Sequence, residues 1–257
     1  MAQTSQGLSL VTPRAFASTH VGRRANNEDA YRADHRLGLF LVADGMGGYE
    51  GGEVASQLVV DVVHRFFHRL EGQTDVGITR TTGRRRSVAE SLMEMAIRQA
   101  SGEVSMKRVG VLAKMGTTLA ALLVRDGSAL ITHVGDSRVY RLRGGVLEQL
   151  TCDHTAMVDE GIAAVSGARY RAPRATHVIT RAVGVEGRCA ADHRIETAVQ
   201  GDRFLLCTDG LTDVLPDAEI ADILRSMEPD RAVDALICDA YGAGGRDNIT
   251  AMVIAIE

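Results

Sequence analysis

Residues 117–150, TTLAALLVRDGSALITHVGDSRVYRLRGGVLEQL, alternate short apolar runs with tight turns. Asp126-Gly127 separates the first apolar run from the second, and Gly144-Gly145 separates the last two. A pair of this kind between apolar runs is a strong signal for a β-hairpin, because both residues tolerate the left-handed backbone that a two-residue turn needs. We therefore predict an antiparallel meander over these residues.

Helices and further strands flank the meander on both sides. Four segments are predicted as helices, the first from apolar residues recurring at three- and four-residue spacing: 50–70, 88–107, 217–227 and 230–241. Further strands are predicted at 14–20, 37–42, 194–199, 203–207 and 248–256. Because the strands come in hairpin groups and the helices in pairs, we predict an α+β fold with packed antiparallel sheets rather than a βαβ repeat.

The length of 257 residues suits one large domain. We assign residues 1–13 to a flexible tail and 14–257 to the domain. Within it, 71–87 lacks any period and is predicted as a surface insert. Its arginine run, Arg84 to Arg86, could recruit an acidic partner, although such runs are more often solvated.

Composition and apolar patterning weigh against nucleic-acid and membrane partners. The absence of tryptophan, an aromatic content of 4% and a net charge of −4 weigh against nucleic acid. The four cysteines form no C-x-x-C pair, which is typical of thiols in a reducing compartment. No signal-peptide core is present, and no apolar run approaches the ~20 residues that span a bilayer. We expect a cytoplasmic monomer with no nucleic-acid and no membrane partner.

Five acidic clusters lie where strand periodicity ends, each beside a glycine or in a short turn. They are NNED at 26–29, ADGMGG at 43–48, GDSR at 135–138, TDGLTD at 208–213 and GGRDN at 244–248. Carboxylates brought together from distant parts of a chain repel one another unless a cation neutralises them. Hard divalent ions such as Mg²⁺ and Mn²⁺ prefer carboxylate, carbonyl and water oxygens. The pattern therefore predicts a metal-dependent enzyme.

Three aspartates carry this metal hypothesis. Asp44 follows a buried strand and precedes glycines that let the backbone approach an ion, so the Gly45 carbonyl is a further candidate ligand. Asp209 follows a second strand, and Asp247 opens the last one. If these strand ends meet, the aspartates can cage two ions, and two ions ~3.5–4 Å apart activate water for in-line displacement. A single Asp-Gly pair is usually only a turn, but the number of acidic clusters in this chain argues for metal binding as well.

Six motifs in order, RANNEDA, ADGMGG, MGTT, GDSR, TDGLTD and GGRDNIT, resemble those of the bacterial PP2C-type (PPM) protein serine/threonine phosphatases. The resemblance covers about residues 14–256. It implies a four-layer αββα sandwich in which helix pairs flank two antiparallel sheets. It also implies that water activated between two Mn²⁺ or Mg²⁺ ions hydrolyses phosphoserine and phosphothreonine, without a phosphoenzyme. Substrates would be phosphorylated proteins, including a Hanks-type kinase or its targets.

The resemblance assigns metal-binding roles to matching residues. Asp44 would bridge the two ions, and Gly45 would bind through its carbonyl. Asp209 and Asp247 would complete the first metal site, and Glu28 the second, largely through water.

Three more carboxylates match positions around this centre. Asp29 would hold water molecules on the ions. Asp136 and Asp213 would hold a weaker third ion that shares Asp209. For Asp136 the alternative is a turn carboxylate that pairs locally with Arg138.

Arg24 matches the arginine that binds the substrate phosphate in the family. The chemistry supports this choice, because a planar guanidinium can grip a phosphate through two parallel hydrogen bonds. Arg23 is the competing candidate, and only the family register favours Arg24.

The sequence departs from the family pattern in two places. Met46 stands where some eukaryotic members have a histidine proposed as the general acid, which leaves the proton donor unassigned; candidates by residue type alone are His20, His154 and His177. Residues 153–181 match the flap beside the active site, but Ala172 stands where a histidine is common. This stretch also carries basic residues that could favour acidic substrates, Arg169, Arg171 and Arg174.

Other functions fit less well. A catalytically silent PP2C-like regulatory module would typically have lost one of the metal-binding aspartates, which are present here. A nucleotide switch would need a Walker lysine or a G-x-G-x-x-G string, and a structural Ca²⁺ loop would need D-x-D-x-D-G. None of these patterns occurs in the sequence.

Overall fold

The computed structural model describes residues 11–47, 51–72, 76–78, 86–157, 177–185, 187 and 189–257. The strands in these ranges are β1 Pro13–His20, β2 Asp29–Asp34, β3 Leu39–Met46, β4 Gly116–Thr117, β5 Leu119–Arg125, β6 Ser128–Val134, β7 Arg138–Arg143, β8 Val146–Gln149, β9 Thr155–Met157, β10 His177–Ile179, β11 Asp192–Thr197, β12 Arg203–Cys207 and β13 Ile249–Ile256. The α-helices are α1 Gly51–Leu70, α2 Val88–Lys107, α3 Asp209–Thr212, α4 Asp217–Ser226 and α5 Pro229–Gly242.

Two antiparallel sheets form the centre of the fold. One has the order β1-β13-β12-β7-β8; the other has the order β11-β6-β5-β3-β2, with β4 beside β3. The predicted meander is divided between them, because the β5–β6 hairpin belongs to the second sheet and the β7–β8 hairpin to the first. The GDSR turn is therefore the point where the chain crosses from one sheet to the other.

Side-chain alternation along the strands shows the layers. On β3, Leu39 and Leu41 join the cluster formed with α1 and α2, whereas Phe40 and Val42 face the space between the sheets. On β12, Leu205 and Cys207 contribute to the cluster with α4 and α5, and Phe204 and Leu206 lie in the inner cluster. Since both faces of these strands are covered, they appear as continuous apolar runs in the sequence. The predicted αββα sandwich is confirmed.

The outer helices have clear local signals. Ser87 caps α2: its Oγ accepts the Glu90 N–H at 3.1 Å, and the Glu90 carboxylate accepts the Ser87 N–H at 2.6 Å. Within the stretch predicted as a surface insert, Val76 and Ile78 are buried against the α1–α2 layer. No helix in the described part of the chain has the length and apolarity to cross a bilayer.

Candidate metal centre

Asp29 and Asp44 are paired in register across β2 and β3. We expected Asp29 in a turn; it is instead the first residue of β2, a short strand that the sequence pattern did not reveal. Its Oδ2 accepts hydrogen bonds from Thr208 Oγ1 at 2.9 Å and from Thr250 Oγ1 at 2.6 Å. Thr250 lies on β13 of the other sheet, and Thr208 is the residue directly after β12 of that sheet. Asp29 therefore links the two sheets through hydrogen bonds.

Asp44 is fixed through its backbone by the MGTT motif. Its N–H donates to Thr118 Oγ1 at 2.9 Å, and its carbonyl accepts from the Thr118 N–H at 2.9 Å and from Thr117 Oγ1 at 2.7 Å. These bonds engage the Asp44 backbone and leave its carboxyl group to face Asp209, the first residue of α3, whose negative charge contributes to the raised pKa of Asp44.

Glu28 is held by backbone and side-chain groups from distant parts of the chain. Its N–H donates to Asn248 Oδ1 at 2.8 Å, and its carbonyl accepts from Ser56 Oγ at 2.6 Å and from the Gly45 N–H at 3.1 Å. A Cβ at Gly45 would lie 2.1 Å from the Gly52 carbonyl oxygen, and one at Gly52 would lie 2.7 Å from Glu28 Oε1. Glycine at both positions therefore lets the Glu28 carboxylate approach the backbone that follows β3.

Asn248 is a structural residue of the centre that the sequence analysis did not single out. It is buried, and its Nδ2 donates to the Val21 and Asn26 carbonyls, both at 2.9 Å. Together with the bond from Glu28, these contacts hold the NNED loop against the start of β13. An amide directly after a predicted site carboxylate was the available signal, since a buried Asn side chain can donate and accept at once.

Asp247 lies two residues before β13 rather than at its first position. Arg24 Nη2 donates to Asp247 Oδ2 at 2.6 Å, and Arg24 Nε donates to a backbone carbonyl at 3.1 Å. Arg23 is engaged elsewhere, because its Nε donates to the Gly244 carbonyl at 2.8 Å and its guanidinium lies 5.8 Å from the Tyr241 ring centre. Of the two arginines, Arg24 is the one in contact with a predicted metal ligand.

Asp136 and Asp213 border the cluster in different environments. Asp136, in the crossing between the sheets, is buried. Arg138 does not neutralise it through a salt bridge but directs its guanidinium to Asp153, with Nη2 at 2.7 Å from Oδ2. Asp213 is exposed after α3, where its N–H donates to the Asp209 carbonyl at 2.8 Å.

Five carboxyl groups of the cluster have a pKa above the ordinary value. Burial raises the pKa of Asp29 to about 7, that of Asp209 to about 7 and that of Asp136 to about 6. Burial, with repulsion from Asp29, Asp209 and Asp136, also raises the pKa of Asp44 well above its usual value. Burial raises the pKa of Glu28 as well. A divalent cation removes this unfavourable charge accumulation without the need for protons.

Four buried carboxylate oxygens have no hydrogen-bond partner among the described residues: Glu28 Oε1, Asp29 Oδ1, Asp136 Oδ1 and Asp209 Oδ1. Leaving such charged oxygens unpaired is costly in a folded protein. Oxygens of this kind are the ligands that Mn²⁺ and Mg²⁺ prefer. The residues present therefore fit the hard divalent ions that the sequence pattern predicts.

His154 has a structural position. Its ring Nδ1 accepts the Gly135 N–H at 3.1 Å, and its backbone N–H donates to the Gly135 carbonyl at 3.0 Å. The His133 ring stacks on the His154 ring with 4.5 Å between the ring centroids. His133, His154 and Asp192 place three ligand atoms within 4.8 Å of one another. The bond at Nδ1 assigns the proton to Nε2, which donates to Asp192 at 3.1 Å, so this group is a hydrogen-bonded cluster rather than a cation site.

Other candidates from the sequence are engaged elsewhere or fall outside the described residues. His20 Nδ1 accepts the Gly22 N–H at 2.9 Å, and Arg86 forms an ion pair with Glu94 at 3.6 Å. Predicted residues outside the described ranges are Arg84, Arg85, Arg169, Arg171, Ala172 and Arg174, and the side chain of His177 is not described either.

Comparison with known proteins gives matches over most of the chain. The family model for protein phosphatase 2C matches residues 17–237. The serine/threonine phosphatase stp of Listeria innocua is 32% identical over 240 residues, which is 90% of each chain. The serine/threonine protein phosphatase PstP of Mycobacterium tuberculosis is 35% identical over 251 residues, which is 96% of this chain and 45% of that protein.

Solved structures agree with the family match. The catalytic domain of the phosphatase PstP in complex with two manganese ions superposes with a TM-score of 0.74 at 34% identity. The superposition covers 96% of this chain and 99% of that domain. Sequence and fold lead to the same assignment: the chain belongs to the protein phosphatase 2C family.

Proposed function

We propose that the carboxylates gathered around the Asp29–Asp44 pair form the two-metal centre with which this chain hydrolyses phosphoserine and phosphothreonine in proteins. Family membership makes the chain a metal-dependent protein serine/threonine phosphatase. The observation that carries the proposal is the set of buried carboxylate oxygens that have no hydrogen-bond partner in the part of the chain that the structure describes. They come from the NNED loop, the start of β2, the turn between β6 and β7 and the start of α3. A catalytically silent binding module receives no support, because Asp44, Asp209 and Asp247 are all present.

Each carboxylate has a proposed task in holding the ions. Asp44 would serve both ions, with the Gly45 carbonyl as an additional ligand. Asp209 and Asp247 would complete the first site, and Glu28 the second. When bound, two such ions supply an activated water and stabilise the oxygens of an in-line displacement at phosphorus.

The remaining site residues arrange the surroundings of the ions. Asp29 accepts hydrogen bonds from the Thr208 and Thr250 hydroxyl groups through one oxygen, and its second oxygen would orient water around the ions. Asp136 and Asp213 are proposed to hold a third, weaker ion together with Asp209. Support comes from their mutual repulsion: beside burial, Asp136 and Asp213 both contribute to the raised pKa of Asp209, and Asp213 contributes to that of Asp136.

Arg24 is proposed to bind the substrate phosphate. Its Nε and Nη2 donate to the loop before β13, whereas its Nη1 donates no hydrogen bond to any residue that the structure describes. A guanidinium anchored on one side presents its free N–H groups in a defined direction, as phosphate recognition requires. The half-exposed position of Arg24 suits contact with a substrate that arrives from solvent.

The cellular role is proposed as reversal of a Hanks-type serine/threonine kinase, either on the kinase or on its targets, by a cytoplasmic monomer. The four cysteines are free thiols, and Cys152 and Cys238 are exposed, which suits a reducing compartment. Incubation of the phosphorylated kinase domain with the enzyme tests the role, with phosphate release measured by mass spectrometry.

The function itself is tested by hydrolysis of a phosphothreonine peptide and of para-nitrophenyl phosphate, in Mn²⁺ or in EDTA. Wild type is expected to require the metal, and Asp209→Asn to lose at least ~100-fold in kcat, because the variant removes a charge from the ion cage. Asp126→Asn is the matched control: Asp126 is exposed in the β5–β6 turn at φ 49°, a conformation that Asn tolerates. A folded, Mn²⁺-loaded wild type without activity would overturn the proposal.

A further inference from the structure

One short segment concentrates the exposed apolar side chains of the described chain. Val111 is 85% exposed, Met106 76% and Val109 70%, more than any other large apolar side chain among the described residues. They lie at the end of α2 and around the short 3₁₀ helix Gly110–Leu112. Single exposed apolar residues are ordinary, whereas a group of them on one surface marks an interaction site. We refer to residues 106–114 as the 106–114 segment.

The same segment carries the only two lysines of the chain, Lys107 and Lys114; every other basic side chain apart from histidine is an arginine. Both lysines are exposed, and neither forms an ion pair with any residue that the structure describes. A lysine ammonium on a flexible stem attracts carboxylates or phosphates without imposing a fixed geometry. The segment therefore offers apolar contacts between two mobile positive charges.

The 106–114 segment leads directly into the metal centre. Beyond it, β4 pairs with the end of β3, placing Gly116 opposite Met46 and Thr117 opposite Gly45. A Cβ at Gly47 would lie 3.1 Å from the Lys114 carbonyl oxygen, so the backbone of the segment touches the ADGMGG motif. The segment is therefore adjacent to the end of β3, the strand that carries Asp44.

The 106–114 segment is also held in place before any partner arrives. Arg108 Nε donates to the Ala113 carbonyl at 3.0 Å, closing the loop, and Arg108 Nη1 donates to the Gly184 carbonyl at 2.9 Å. Ser105 Oγ donates to the same carbonyl at 3.2 Å. Because the backbone is already ordered, less conformational entropy is lost when a partner binds.

We propose that the 106–114 segment is the docking surface for the residues that flank the phosphorylated serine or threonine of a protein substrate. The preferred flank carries an apolar side chain, which packs on Val109 and Val111, and acidic side chains, which pair with Lys107 and Lys114. The argument for this occupant is charge complementarity together with continuity with the metal centre, and it rests on the proposed phosphatase function.

Three phosphothreonine peptides test the preference: one with a Gly-Ser flank, one with a Leu-Glu-Glu flank before the phosphothreonine and one with that flank after it. Wild type is expected to hydrolyse one of the two Leu-Glu-Glu peptides with kcat/KM ~10-fold above the Gly-Ser peptide, the size of a modest apolar and charge contribution. The double variant Val109→Ser/Val111→Ser should remove most of the difference. Lys107→Glu/Lys114→Glu should reverse the preference for acid. Val146→Ser, at an exposed valine that opens β8, should change nothing.

Hydrolysis of para-nitrophenyl phosphate, which has no flanking residues, should be unaffected in all of these variants. Equal kcat/KM for the three peptides in wild type would overturn the docking surface while leaving the phosphatase intact. Loss of para-nitrophenyl phosphate hydrolysis in the variants of the 106–114 segment would also overturn the docking surface, because the segment would then affect the metal centre and not the flanking residues of the substrate.

Binding of the fluorescein-labelled peptides, followed by anisotropy in an Asp209→Asn background with Mn²⁺, separates docking from catalysis. Weaker binding of the Leu-Glu-Glu peptide after Val109→Ser/Val111→Ser supports the proposal even if turnover proves absent, and unchanged binding contradicts it. Sedimentation of wild type is the last check. A dimer that the same double variant dissociates would show that a second copy covers this surface, and would overturn the proposal.

Discussion

Asp29 and Asp44, 15 residues apart in the chain, face each other across the β2–β3 pair with their Cα atoms in register. Like charges directly opposite each other on neighbouring strands are destabilising. Here Asp209 adds further repulsion to both, so the arrangement is favourable only when protons or cations neutralise it. The predictions below follow from this balance and from the backbone that creates it.

Stability without metal should fall as pH rises. Burial raises the pKa of Asp29 and of Asp209 from 3.8 to about 7 in the folded chain. At pH values between these two pKa values, the folded state keeps protons that the unfolded state has lost. The stabilising contribution of the protonated carboxyl groups is therefore fully present below the unfolded pKa and disappears as the pH rises through the folded pKa. Thermal melts in EDTA from pH 5 to pH 8 should therefore show a decreasing Tm, and added Mn²⁺ should raise Tm most at pH 8.

The variant Asp29→Asn provides the control for this pH effect. Its amide oxygen can still accept the bonds from Thr208 and Thr250, but the side chain no longer titrates. The pH dependence of Tm in EDTA should be smaller than in wild type. An unchanged slope would mean that other groups cause the effect.

Arg24→Ala should raise KM for a phosphothreonine peptide by about 10-fold, with a smaller change in kcat, because in its proposed role the guanidinium binds the phosphate both before and during the reaction. Arg23→Ala is the matched control, since Arg23 contacts Gly244 and Tyr241 instead of a predicted metal ligand. Initial rates are measured at saturating Mn²⁺, because the loss of Arg24 also releases Asp247 from its ion pair. A normal KM in Arg24→Ala contradicts the assigned role.

Gly52→Ala should weaken binding of the ion that we propose Glu28 to hold. The added Cβ would lie 2.7 Å from Glu28 Oε1 and 2.8 Å from the Gly45 carbonyl carbon, so both groups must move. The Mn²⁺ concentration for half-maximal activity is expected to rise at least ~10-fold, as for other disturbed ligand shells. Gly102→Ala is the control: a Cβ there meets nothing within 4 Å, and alanine in α2 should stabilise the chain by about 0.5–1 kcal/mol.

Asn248→Ala should destabilise the fold even without metal. It removes three hydrogen bonds, to Glu28, Val21 and Asn26, and leaves part-buried backbone groups without these partners, which costs about 2–3 kcal/mol in the free energy of unfolding. Urea unfolding in EDTA measures this loss. Asn27→Ala, at a less buried neighbour with bonds to Thr19 and Asp29, should cost about 1 kcal/mol or less. Equal losses in the free energy of unfolding of the two variants would contradict the structural role assigned to Asn248.

The elements that could be predicted are those with long periods or strong turn signals. The helices α1 and α2 show apolar spacing over five turns, and the β5–β6 and β7–β8 hairpins have Asp-Gly and Gly-Gly turns. The strand β2 was not predicted, because its six residues, DAYRAD, contain no apolar run. It lies at the edge of a sheet, where most of its side chains are only half-buried. Its pairing with β3, a tertiary contact, compensates for this weak local signal.

The amino-acid sequence by itself determined which groups are available: carboxylates beside glycines, threonines in MGTT and an arginine ahead of NNED. It also determined the local turns, because glycine and aspartate set the backbone there. The tertiary structure alone decided which carboxylates meet, that GDSR crosses between the sheets, and that Asn248 joins the loop to β13. Asp29 and Thr250 are 221 residues apart, and contacts over such a separation depend on sheet order and packing, which no local spacing specifies.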